Sequence, residues 1–211
     1  MIKREFVLYS HAKTSPEINL KDLPGSTGRL DVVCRCICDA LFISGKIRED
    51  TRIIVTLTGK PTPPISIMFD GRFLRKVHPD ERNIAIFIGK AIKKINSVDK
   101  NHRKFSGWNE STPGIFVSRA DFCEIISYCI KPRYLLCEYG RDIAELNIDG
   151  GCFILGDNRD PPPEIIEKLS PTPESISLGP ISLFASQSIT VVHNWIDRNI
   201  YSEIVSPGRA A

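Results

Sequence analysis

The chain has 211 residues, 42% of them hydrophobic, and a formal net charge of +3. That length suits one domain over residues 1–211, or one domain with an elaboration, with enough apolar residues for a real core. No apolar stretch approaches membrane-spanning length, which excludes a helical membrane protein, and a charge so near balance identifies no partner by itself.

Glu5–Ser10 reads as a first strand. Residues 11–28 hold Pro16, Pro24, Gly25 and Gly28 and read as a long loop. Leu30, Val33, Ile37, Ala40 and Leu41 then recur at helical spacing, with Gly45 as the stop. Arg52–Thr58 is β-branched and apolar, hence a buried strand. Lys60–Pro64 is rigid and extended. Ile65–Phe69 and Arg72–Val77 flank Asp70-Gly71, a strong hairpin signal.

Pro79 opens a helix, followed by acidic Asp80 and Glu81. Its apolar face is Ile84, Phe87, Ile88, Ala91, Ile92 and Ile95. Asn96–Gly114 is polar, with basic and aromatic residues mixed. Ser118 begins another helix, with Asp121 in capping-box register. Arg133–Tyr139, Cys152–Leu155 and Ser175–Leu178 supply three more strands. A short helix, Pro161–Leu169, follows the second, and an amphipathic helix, Ile181–Asn199, follows the third. Strands alternating with helices predict an α/β fold with a mainly parallel sheet flanked by helices on both faces.

The charge is unevenly placed. Arg72–Lys104 holds ten Lys/Arg against three Asp/Glu, and Glu138–Glu174 holds three against nine. A basic half beside an acidic half suggests that a polyanion meets one face only; two solvated surfaces is the plainer reading. Lys100–Phe105 with Trp108 mixes charge and rings, a composition that can hold phosphates and stack an unpaired base.

Seven cysteines include Cys34, Cys36 and Cys38 but no CxxC pair, so they read as small buried hydrophobes and no metal site is expected. They fit a reducing, cytoplasmic compartment. No signal peptide is expected from the first residues.

The candidate site lies at two strand ends, Cys152–Asp157 and Ile176–Pro180, each an apolar run that stops at a glycine. Glycine there lets main-chain amides and carbonyls approach a flat ligand. Two such ends side by side would make a crevice suited to an adenine and a ribose. Neither GxGxxG nor GxxxxGK[ST] occurs, so no dinucleotide fold or P-loop is indicated. Gly28-Arg29-Leu30-Asp31 sits where a loop meets a helix, with Arg35 four residues beyond Asp31. A helix-end ion pair and a catalytic role are both open there. Asn19, Lys21 and Asp22 either line a site or cap turns.

Taken together, Ser15–Asp31, Gly59–Pro64, Pro79–Ala85, Leu155-Gly156-Asp157 and Leu178-Gly179-Pro180 carry a specific likeness. The chain resembles the archaeal tRNA pseudouridine N1-methyltransferases, the TrmY group of the SPOUT superfamily, from Glu5 to about Asp197. The resemblance implies a C-terminal trefoil knot at about 133–199, an exception to the rule against knotted connections. It implies S-adenosylmethionine as cofactor, a homodimer, and methylation of N1 of pseudouridine at position 54 in the T-loop of tRNA. The cofactor pocket would include Leu136, Gly156, Leu178, Gly179, Pro180, Ile181, Ser182, Leu183 and Ser188. Relatives often continue after the aspartate with His-Ile-Gly; here Asn158-Arg159-Asp160 follows, so no histidine role transfers to that stretch.

Methyl transfer to N1 requires that its proton leave. Asp31 is the expected acceptor, directly or through water, and Arg29 the expected group for steadying charge on the base or holding a phosphate. A related enzyme acting on ribosomal RNA, and an RNA-binding module without activity, are the alternative readings.

Overall fold

The computed structural model describes residues 1–98 and 107–205. In chain order the elements are β1 (Arg4–Lys13), α1 (Leu23–Ser26), α2 (Leu30–Leu41), β2 (Phe42–Ile43), β3 (Lys46–Ile47), β4 (Thr51–Gly59) and β5 (Ile65–Asp70). Then come α3 (Glu81–Val98), β6 (Asn109–Thr112), β7 (Ile115–Ser118), α4 (Phe122–Tyr128), β8 (Arg133–Asp142) and β9 (Gly151–Gly156). The chain closes with α5 (Pro163–Ile166), β10 (Glu174–Ser177) and α6 (Ala185–Val205).

Eight strands form one sheet in the order β10-β8-β9-β1-β4-β5-β7-β6. The pairs from β10 to β4 are parallel, and those from β4 to β6 antiparallel. This is the expected mainly parallel α/β sheet with an antiparallel extension. β1, at its centre, is buried along most of its length because both sheet faces are covered. Phe6, Leu8, Val55 and Phe153 face the side packed by α2, α3 and α6. Val7, Ile54 and Ile154 face the side packed by α4 and, at its rim, α5. The six apolar residues expected on α3 are all buried there. Among the described residues no helix is long and apolar enough to cross a membrane.

Several local expectations change. α2 stops at Leu41, and Gly45 (φ +71°) instead turns the two-residue hairpin of β2 and β3. Asp70-Gly71 turns no hairpin. The Asp70 carboxylate accepts from the Arg72 backbone N–H and guanidinium, Gly71 donates to the Thr51 carbonyl, and β5 pairs with β4 and β7. Gly71 is needed for close approach, since a Cβ would meet the Arg48 carbonyl oxygen. Asp80, not Pro79, caps α3, accepting from Asn83 N–H at 2.9 Å. Asp121 itself caps α4 through Glu124 N–H at 2.8 Å, which leaves Ser118 in β7. Within Asn96–Gly114 the helix continues to Val98 and β6 pairs with β7; residues 99–106, with most of the aromatic-basic segment, lie outside the described residues. The last helix starts at Ala185, so Ile181–Phe184 is loop.

All seven cysteines are free thiols, and Cys34 and Cys36 are fully buried as expected. Glu5, Cys129 and Cys152 bring possible ligand atoms within 4.8 Å of one another. Glu5, however, is committed to the Arg52 guanidinium at 2.5 Å and to Ile130 N–H at 2.8 Å.

Candidate active site

The carboxyl ends of the parallel strands open onto one cleft of about 330 Å³. Its position follows from register. β10 pairs with β8 at Tyr134 and Leu135, then again at Arg141 and Asp142, so residues 136–140 belong to neither paired stretch. Leu136, Cys137 and Glu138 from that bulge reach the cleft. Gly140 permits it, because a Cβ there would meet the Ile176 backbone at 2.4 Å.

Of the nine residues expected around a cofactor, Leu136, Gly156, Leu178, Gly179, Ile181, Ser182, Leu183 and Ser188 line this cleft. Pro180 is exposed and lies outside the lining. A Cβ on Gly156 would meet the Arg159 carbonyl oxygen at 2.0 Å, so the loop after β9 folds directly over the strand end. Gly179 has a φ of +131° with nothing within 4 Å of a Cβ. That left-handed turn is pinned by Ser177, whose hydroxyl donates to Gly179 O at 3.0 Å and accepts from Gly179 N–H at 3.2 Å. Ser182 donates to Glu138 at 2.5 Å, and this bond holds the Glu138 carboxyl below its ordinary range. Apolar walls, main-chain polar groups, two serine hydroxyls and an ionised carboxylate suit a flat, partly cationic nucleoside. The residues present therefore fit S-adenosylmethionine.

Asp157 leaves the end of β9 into the cleft lining, yet its side chain is sealed from solvent. It accepts from His11 N–H at 2.7 Å and from Asn158 N–H at 2.6 Å, and the His11 Nδ1 lies 3.2 Å away. Asp157 thus ties the cleft to the end of β1.

Arg29 and Asp31 stand beside this tie rather than in the cleft lining. Arg29 has a φ of +71° just before α2, and its Nε and Nη2 each donate to Asp31 at 3.0 Å. Arg35 adds a third bond to Asp31 at 2.8 Å. Burial alone would raise the Asp31 pKa, but the guanidinium groups of Arg29 and Arg35 outweigh it and hold the carboxyl below its ordinary value. Arg29 is shifted up, first by its bond to Asp31 and last by the charge of Asp157, so the two motifs share one electrostatic field. The helix-end ion pair read from the sequence is present. Its bidentate grip presents a half-exposed guanidinium at fixed orientation.

Asp22 and Asn19 cap turns: Asp22 accepts from Gly25 N–H at 2.9 Å and Asn19 from Lys21 N–H at 3.0 Å. On the basic side, Lys90, Lys93 and Lys94 are exposed on α3, whereas Arg72 is bound by Asp70. Sequence reasoning passed over His11 and Glu138 and gave Asp157, although part of a candidate strand end, no role of its own. Asp157 directly follows the strand-end glycine and was the one with a visible signal. His11 and Glu138 sit in stretches whose strand extent and bulge only the register reveals.

Comparison with known proteins agrees with this geometry. The model of the SAM-dependent RNA methyltransferase family matches residues 3–200. The tRNA (pseudouridine(54)-N(1))-methyltransferase of Methanocaldococcus jannaschii is 43% identical over 208 residues, covering 95% of this chain and 100% of that one. The protein of the same name from Methanococcus maripaludis is 40% identical over 205 residues, covering 92% and 98%. Among solved structures, Archaeoglobus fulgidus Nep1 bound to S-adenosylhomocysteine has a similar fold, with a TM-score of 0.65 at 14% identity, covering 95% of this chain and 100% of that one. With a family match across nearly its whole length and relatives of this identity, the chain belongs to the SAM-dependent RNA methyltransferases, with S-adenosylmethionine as its cofactor.

Proposed function

We propose that this chain methylates N1 of pseudouridine 54 in the T-loop of tRNA, the activity for which its relatives are named. The observation that carries the reading is Asp157: the residue lines the main-chain cleft while its buried carboxylate holds His11, against whose carbonyl Gly28 packs just before Arg29. A cofactor site and a charge-stabilising group thereby lie side by side. Bound S-adenosylmethionine supplies an electrophilic methyl carbon on a positive sulfur. The chain must then bring N1 to about 3 Å from that carbon, opposite sulfur.

Leu136, Leu178 and Leu183 of the cleft lining would wall the nucleoside, and the Gly156 and Gly179 main chain would let it approach closely. Ile181, Ser182 and Ser188 complete the lining. Arg29 donates to the oxygen of the pyrimidine as the ring gains negative charge, which is worth most in a site shielded from water. We assign Asp31 the task of holding Arg29 rather than that of taking the proton, because both its oxygens accept from the guanidinium groups of Arg29 and Arg35. Lys90, Lys93 and Lys94 give the RNA backbone a basic face.

The same reading takes residues 1–211 as a single domain and residues 133–199 as a trefoil knot. The return of α6 from the sheet edge at β10 to the middle of the sheet supports the knot: His193 bonds to Ala40 of α2 and Arg4 of β1. A cytoplasmic location and a homodimer complete it; the homodimer is supported by Ile181 and Phe184 of the cleft lining and by Tyr139, which are large, apolar and at least 75% exposed. The test is incubation with S-adenosylmethionine and tRNA carrying pseudouridine, followed by nucleoside mass spectrometry. N1-methylpseudouridine in the tRNA is the expected product. Methylation confined to a ribosomal RNA fragment would move the substrate, and binding of RNA with no methylation of either would remove the enzyme.

A further inference from the structure

His11 follows the last β1–β9 pair, Tyr9 with Gly156, and so stands next to the loop after β9 that lines the cleft, itself just outside that lining. The Asp157 carboxylate fixes it twice, through the backbone N–H at 2.7 Å and through Nδ1 at 3.2 Å. Asn158 and Arg159 also donate their backbone N–H groups to Asp157, so the carboxylate is an acceptor on every side and cannot swing away. An acceptor opposite Nδ1 places the imidazole hydrogen on Nδ1, which leaves the Nε2 lone pair open. The histidine side chain is 35% exposed while the aspartate is fully covered. A buried carboxylate orients a ring that is itself partly exposed.

The neighbouring groups agree. Tyr9 lies edge-on to the ring at 5.3 Å between centroids. Gly28 packs on the His11 carbonyl, 3.3 Å from an ideal Cβ, and so brings Arg29 to the same corner. The titratable and charged groups around His11 are therefore Tyr9 on its own strand, Asp157 at the end of β9, and Arg29 at the start of α2, which feels the Asp157 charge. The carboxylate of Asp31, by contrast, is covered by three guanidinium bonds.

We propose that His11 is the general base of the reaction, taking the N1 proton of the target base on Nε2, with Asp157 as its positioning residue. This rests on the methyl-transfer reading above. N1 forms its bond to the methyl carbon, the carbon–sulfur pair returns to sulfur, and the N1 proton moves to Nε2. The positive charge lost by the sulfonium appears on the imidazolium, which later gives its proton to water.

The test uses the full chain, S-adenosylmethionine and tRNA carrying pseudouridine, in single-turnover methylation. In His11→Asn the amide can still donate to Asp157, but no base stands at Nε2. Its rate should fall about 10²–10⁴-fold, with cofactor affinity by calorimetry unchanged and the rate partly restored by added imidazole. Nitrogen NMR of the wild-type protein alone should show the Nδ1–H tautomer, a readout independent of turnover and of whether the variant folds. Either of two results overturns the assignment: a His11→Asn rate within about threefold of wild type, or an Nε2–H tautomer. A wild-type protein that methylates no RNA overturns the enzymatic reading and this step with it. A methylating wild type with an equally active variant overturns only the role of His11.

Discussion

Arg4 donates to Nδ1 of His193 at 3.1 Å, deep between β1 and α6. A guanidinium has no acceptor, so the histidine must accept at Nδ1 and carry its hydrogen on Nε2, which donates to Ala40 O at 3.0 Å. The ring is thereby locked neutral. Burial, and then the charges of Arg48 and Arg4, push its pKa down to about 3. Asp197 balances the two arginines, bonding Arg4 at 2.6 Å and Arg48 at 2.7 Å.

His193 therefore makes stability depend on pH. The unfolded chain binds its proton below about pH 6.5, while the folded chain resists until about pH 3. The stabilisation is complete above the higher value and is lost as pH falls toward the lower. Between about pH 6.5 and 5 the loss from this group is about 2 kcal/mol. Urea unfolding midpoints at neutral and mildly acid pH should show it. In His193→Gln, which can still accept from Arg4 and donate to Ala40, the acid-side loss should shrink; an equally steep loss would place the titration elsewhere.

Asp31→Asn should loosen Arg29 and lower the rate of methylation by about 10²-fold, the scale of a misplaced catalytic group. Calorimetry should find the cofactor bound as before, since Asp31 is outside the cleft lining. Full activity with cofactor binding intact would take Asp31 out of the chemistry.

Gly156→Ala places a methyl group 2.0 Å from the Arg159 carbonyl oxygen. The loop from Asp157 to Asp160 must move, and cofactor affinity should drop at least about tenfold, or 1.4 kcal/mol. Gly179→Ala meets no atom but keeps a φ of +131°, so it should cost stability through backbone strain of about 1 kcal/mol or more. Calorimetry and thermal melting separate the two effects, and unchanged affinity in Gly156→Ala would move the ligand off this strand end.

Affinity for tRNA should fall steeply with salt, because phosphate contacts release counterions. Replacing Lys93 or Lys94 on the exposed face of α3 with alanine should reduce the slope of log affinity against log salt by about 1 each. A flat salt response would assign RNA binding to another face.

What could be read from the sequence was local. The apolar positions of α3 repeat every three to four residues, and all six are buried. The glycine-terminated runs before Asp157 and Pro180 really are strand ends that meet in a cleft. Turn chemistry misled where a distant partner intervened. Asp70-Gly71 has hairpin composition, but Arg72 satisfies the carboxylate and Thr51 takes the Gly71 N–H, while β7 fills the edge that a hairpin partner would have used.

Periodicity and composition determined the α/β class, the main elements and the residues at both strand ends, because each depends on neighbours a few positions away. Which strands lie together was decided only by the tertiary structure, since burial on both faces suits several strand orders and pairing is a long-range choice. That choice sets β9 beside β1 and so brings His11 to Asp157, 146 residues further along the chain. It likewise lifts residues 136–140 of β8 out of register with β10, which delivers Leu136 and Glu138 to the cleft.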